Sequence, residues 1–224
     1  MKKLCKLAVT AALGIMTLWA GTALAAPPVD IALFEYLRTS GGAANFAGFD
    51  TGTGLGSITV TYGAPGSYKS GLFVDHEIDE SINTFFNEFG AVSGTPDAAL
   101  SWEIDEPGYD FGDIFANFNA GTLDNTNAIS ANAVNDVSMA LMWDFDLDPD
   151  YSASVLFKIS TVAPTGGFYL SQTDPDSQAT IYFTSDLGIR PDQNGGAVPE
   201  PSTILLLGAG LAGLGIFGRK RIRR

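Results

Sequence analysis

Carboxylates are the residues of this chain whose type and spacing could do chemistry. They fall in three clusters: Asp75, Glu77, Asp79 and Glu80 around His76; Glu103, Asp105 and Glu106; and Asp144, Asp146, Asp148 and Asp150. Calcium takes six to eight oxygens, largely from carboxylates and carbonyls in loops. Asp75, Glu77, Asp79, Asp144, Asp146, Asp148 and Asp150 are therefore the candidate metal ligands. The last four open like an EF-hand loop but do not continue as one. Counted from Asp146, the sixth position is Tyr151 rather than Gly and the twelfth is Phe157 rather than Glu. Counted from Asp144, those positions are Pro149 and Val155. No cofactor is required by the sequence, and calcium is the ion its acidic clusters would suit.

Other chemistries find less support. His76 is the only histidine, so sites built from two are excluded, and Glu80 stands where H-E-x-x-H needs its second His. A Ser-His-Asp hydrolase would have to use His76 as base, and no G-x-S-x-G elbow supplies its serine. A glycosidase needs two carboxylates about 5 to 9 Å apart; many are available and nothing selects a pair. Trp102, Tyr109, Trp143 or Tyr169 could stack on a sugar, but Trp102 and Trp143 stand in phase with apolar neighbours and belong in a core. No catalytic residue is assigned, and the chain is expected not to be an enzyme.

Strands must position these groups. The 224 residues include 26 Gly and 11 Pro, with 46% hydrophobic and 17% charged residues, too apolar for a disordered chain. Ile58, Val60 and Tyr62 alternate, as do Leu100, Trp102 and Ile104. The clearest run places Val137, Met139, Leu141, Trp143, Phe145 and Leu147 on one face, with Ser138, Asp144 and Asp146 on the other. Segments 72–78, 154–159 and 180–184 complete the set, and 31–37 reads equally as strand or helix. Short alternating strands between Gly, Pro, Asn and Asp predict an antiparallel β-sandwich, jelly-roll-like, with one face of each sheet wet. Segment 81–89 is expected to form one or two helical turns. Segment 41–56 is expected to be a long glycine-rich loop, 117–136 surface, 146–151 a hairpin loop and 163–167 a turn.

The two ends read as addresses. Residues 1–25 form a signal peptide: Lys2, Lys3 and Lys6, an apolar run over 7–20, then Ala23-Leu24-Ala25 before the cut. The one cysteine, Cys5, lies in that leader, so the mature chain carries no disulfide. At the other end come Pro199, Glu200 and Pro201, an apolar glycine-rich stretch over 203–218, and Arg219, Lys220, Arg221, Arg223 and Arg224. A short transmembrane helix at 203–218 followed by cations predicts a stop-transfer segment with its end in the cytoplasm. Three basic residues lie in the leader and five in the tail, and only Glu200 among the acids lies outside 26–197. The whole chain is −13, but the body is therefore −20, which excludes non-specific nucleic-acid binding.

The order Pro199-Glu200-Pro201, apolar segment, arginine cluster resembles the PEP-CTERM sorting tail of exported proteins. That resemblance implies recognition by exosortase and removal of the tail near Pro199-Glu200-Pro201. Segments 71–79, 102–108, 123–125 and 136–141 are similar to a group of such proteins without an assigned activity, which carries over no catalytic residue. The expected organisation is a signal peptide at 1–25, an exported acidic β-sandwich at 26–197 and a sorting tail at 198–224. The expected role is non-enzymatic, structural or binding, at the cell surface or in the extracellular matrix. The alternative is a carbohydrate-binding or carbohydrate-active domain working on exopolysaccharide. Partners would be the secretion machinery, exosortase and, for the tail before processing, the inner membrane; the processed protein would then lie at the cell surface, in the outer membrane or outside the cell.

Overall fold

A computed structural model of the chain describes residues 29–38, 42–78, 86–108 and 110–191. The leader, the sorting tail, Asp79, Glu80, Tyr109 and segment 81–85 lie outside them. The described chain is mainly β and builds two antiparallel sheets. Strands β1 (Val29–Arg38), β4 (Gly66–Ile78), β7 (Ser138–Leu147) and β6 (Leu100–Asp105) form one sheet in the order β1-β4-β7-β6. The second sheet runs β2 (Ala43–Asp50), β3 (Leu55–Tyr62), β8 (Tyr151–Ser160), β10 (Thr180–Pro191), β9 (Tyr169–Thr173) and β5 (Phe89–Ser93). Among the described residues one helix, α1 (Ile114–Ala120), interrupts the strands. No helix among the described residues is long and apolar enough to cross a membrane.

The sheets meet over one apolar core. Ile58, Val60 and Tyr62 from β3 and Val155, Phe157 and Ile159 from β8 pack with Leu72 and Val74 from β4 and Met139 and Leu141 from β7. This is the phase that alternation requires: every second residue faces the core. Trp143 belongs to that core and Trp102 packs against it, as expected.

Segment 41–56 is not a loop. Ala43–Asp50 is an edge strand paired to β3, with a register shift between Asn45 and Gly48. Only Phe49 along it is buried, so it carries no apolar alternation to mark it. Segment 146–151 is not a hairpin either, because β7 and β8 lie in different sheets and the turn carries the chain from one to the other. Segment 117–136 is more than surface. It contains the end of α1, buries Leu123 and Ile129, and hydrogen-bonds the open sides of β6 and β5 through Ile104 N to Thr126 O (3.0 Å) and Gly90 N to Ile129 O (2.7 Å). Covering exposed strand edges in this way removes templates for aggregation.

The four-stranded sheet also departs from the one-wet-face expectation. α1 and the residues after it cover part of its outer side, forming a second core from Phe73, Ala140, Met142, Ile114, Phe118 and Leu123. Gly71 makes room for the helix: a β-carbon there would lie 2.9 Å from the Phe118 ring. The helix ends on Gly121 in the left-handed conformation (φ 70°), its N–H bonded to Phe118 O. Lys69 Nζ donates to Gly121 O at 2.6 Å, which places a cation at the negative end of the helix.

Candidate functional site

Strand pairing gathers acidic residues that are far apart in sequence. On the outer face of the four-stranded sheet, Ser138 of β7 stands opposite both Asp75 of β4 and Asp105 of β6. One step along, Ala140 stands opposite Phe73 and Glu103. The first two sequence clusters thus meet beside α1. Asp113, the residue preceding the helix, joins them. Among the described residues, Glu103, Asp105 and Asp113 are the three acidic groups whose oxygens lie within 4.8 Å of one another.

Asparagines and backbone amides, rather than cations, satisfy these acids. Asn117 Nδ2 donates to Glu103 Oε1 (3.0 Å) and to Asp113 Oδ1 (2.9 Å), and Asp124 N donates to Glu103 Oε2 (3.2 Å). Asp113 N donates to Asp105 Oδ2 (2.9 Å). Asn135 Nδ2 donates to Glu106 close by. Ser138 Oγ donates to Asp75 Oδ1 (2.8 Å). Burial raises the pKa of Asp75 to about 7, opposed by the Ser138 bond and reinforced by the Asp136 charge. Burial first, then Glu106, raises Asp136 to about 6. Burial also pushes Glu103 upward, against its Asn117 hydrogen bond. Protons and amides thus do here what basic residues do in more balanced proteins.

A second buried polar group bolts the sheets together. Ile78 N donates to Glu88 Oε1 at 2.9 Å, while Gln172 Nε2 of β9 donates to both Glu88 and His76 O. Burial raises Glu88 to about 8, so it is largely protonated at neutral pH. His76 lies on the opposite face of β4 from Asp75, with Nε2 3.3 Å from Gly54 O. Burial lowers its pKa to about 4, leaving a neutral ring. A neutral imidazole sealed in the core is placed for packing, not for base catalysis at a surface.

The remaining predicted ligands are spread out. Glu77 is buried, whereas Asp144, Asp146, Asp148 and Asp150 are all exposed. Asp144 pairs with Lys69 at 3.6 Å and Asp146 accepts from Ser67 Oγ at 2.6 Å. The Asp113 contribution to the carboxylate group was invisible in the sequence, because only the fold returns that residue to β6. A separate cleft of about 800 Å³ lies by β8 and β10, lined in part by Trp143, Phe168, Tyr182, Lys158, Asp97 and Asp186.

A family model for the PEP-CTERM protein-sorting motif matches residues 197–224. The chain thus carries that motif, which marks it as an exosortase substrate sorted towards the cell surface. The match begins one residue before the expected boundary and includes Pro199, Glu200, Pro201 and the terminal cations. No curated protein and no solved structure matches the chain.

Proposed function

We propose that the protein is an exported, non-enzymatic structural or binding protein of the cell surface or extracellular matrix. The observation that carries this reading is the sorting motif at 197–224, separated by only a few residues from the last described strand of a body built on two antiparallel sheets. The jelly-roll-like description belongs to the same reading: β3 to β4, β4 to β5, β5 to β6 and β7 to β8 each change sheets. Asp75, Glu88 and Glu103, whose titration burial moves, are engaged with the protein's own donors, as in a scaffold. General export machinery would deliver the chain, the apolar segment 203–218 would hold it at the inner membrane, and exosortase would release it.

The test is to fractionate cells of an exosortase-bearing host making the full chain or a Pro199→Ala/Glu200→Ala/Pro201→Ala variant. The unaltered chain should reach the surface or medium, and the variant should accumulate at the inner membrane. Equal distribution of the two would sink the sorting reading. The aromatic and acidic cleft favours exopolysaccharide binding as a second reading. Retention on immobilised exopolysaccharide that Tyr182→Ala abolishes would move the assignment to it. Polysaccharide cleavage that a single carboxylate substitution abolishes would replace the non-enzymatic role.

A further inference from the structure

Strand β10 is paired along only part of one side. Its ladder with β8 runs from Tyr182 to Pro191, but its ladder with β9 covers only Thr180 to Phe183. From Thr184 to Pro191 that second side has no ladder partner among the described residues. The cleft of about 800 Å³ lies against Thr184, Ser185, Asp186 and Leu187, so space is open beside the strand. An unpaired strand edge is a template for another strand.

We propose that this edge pairs with the same edge of a second copy, antiparallel about a two-fold axis at Gly188. The register follows from geometry. A two-fold axis perpendicular to a sheet sets one residue opposite its own copy, because a residue must keep its face. The incoming strand cannot pass Thr184, where β9 begins to occupy the neighbouring position. Gly188 is the first centre that keeps the partner's Pro191 clear of β9, setting it opposite Ser185. Asp186 then faces the partner's Arg190, and Leu187 faces the partner's Ile189, each contact occurring twice.

Each consequence matches an observation. Asp186 and Arg190 are both exposed and share the outer face, where opposite charges across strands attract. Arg190 is one of only four basic residues in the −20 body, so a cation opposite Asp186 offsets repulsion between copies where the edges meet. Ile189 is 43% exposed and Leu187 half-buried on the core-facing side, and pairing would cover both. Gly188 is unexplained within one copy: a β-carbon there meets no atom nearer than Ser154 O at 3.9 Å. Close approach of another backbone is one of the reasons a glycine stands inside a strand, and the axis supplies it. This inference is independent of the proposed cellular role.

The full chain in detergent, measured by light scattering at micromolar concentration, should show twice the single-chain protein mass. Arg190→Asp should halve it, and Asp186→Arg combined with Arg190→Asp should restore it. A single-chain mass for the unaltered protein, a doubled mass insensitive to Arg190→Asp, or no rescue by the exchange would each overturn the proposal. In a Cys5→Ser background, Gly188→Cys should give a disulfide-linked pair, while Phe111→Cys, exposed just before α1 and away from the cleft, should not. Equal cross-linking at both positions would count against the axis. If Gly188→Cys does not fold, the charge exchange decides alone.

Discussion

Along β8, buried and more exposed residues alternate from Ala153 to Ile159, whereas β4 is buried at every position from Ser70 to Ile78. The difference lies in what covers each sheet. One side of β8 faces the core and the other faces water. The middle of β4 faces the core on one side and lies beneath a second layer containing α1 on the other. A polar residue on the wet face keeps its hydration, but one on the covered face must find donors or keep a proton. Asp75 and Glu103 show that outcome, whereas Asp186 on the six-stranded sheet is exposed to water.

The comparison breaks most completely at its shared centre. Leu141→Asp puts an unpaired charge into the core both sheets use, and no cooperative unfolding transition should remain. A folded variant by circular dichroism would refute the strand phase. Next in size, Phe118→Ala removes the anchor of the covering layer and should cost about 3–5 kcal/mol in urea denaturation. Thr184→Ala on the wet face should stay within about 0.5 kcal/mol. Similar losses at the two sites would erase the distinction between the faces.

Titration sharpens it further. Asp75, Glu88, Glu103 and Asp136 all have raised values in the fold. Their contribution is present below the ordinary carboxylate range and is lost as pH rises through about 6 to 8. His76 acts oppositely: its lowered value means stability is lost as pH falls from 6.5 towards about 4. Four carboxylates outweigh one imidazole, so the melting temperature should fall from pH 5 to pH 8. Glu88→Gln, which mimics the protonated acid, should flatten that fall. A melting temperature that rises over the same range would show that the covered acids are ionised in the fold. Asp144→Asn, an exposed partner of Lys69, should likewise cost little, under about 1 kcal/mol in the same urea assay.

What could be read from the sequence follows the same division. Ile58, Val60 and Tyr62 announce a core because polar residues alternate with them, and the odd residues from Val137 to Leu147 do so because all six are large and apolar while Ser138, Asp144 and Asp146 mark the other face. β2 does not, since seven of its eight residues escape full burial and no period survives. α1 is under two turns long, and Ile114 with Phe118 makes only one same-face pair. Glu103 and Asp105 share one face of β6 and could be paired from the sequence, but Asp113 joins them only through the chain's return to β6, which is not a local pattern. The sorting tail was legible for the reverse reason: its signal is linear, so residues 197–224 carry it without help from the fold.

The attachment of that tail has a mechanical consequence. Tension arriving through the residues after Pro191 enters β10, whose ladder with β8 runs over ten consecutive residues. A pull along the strand loads those hydrogen bonds together in shear instead of opening them one at a time. Any drag on the body that arrives through the tail would act on ten residue pairs at once, and the joint would be stronger lengthwise than when peeled from the side.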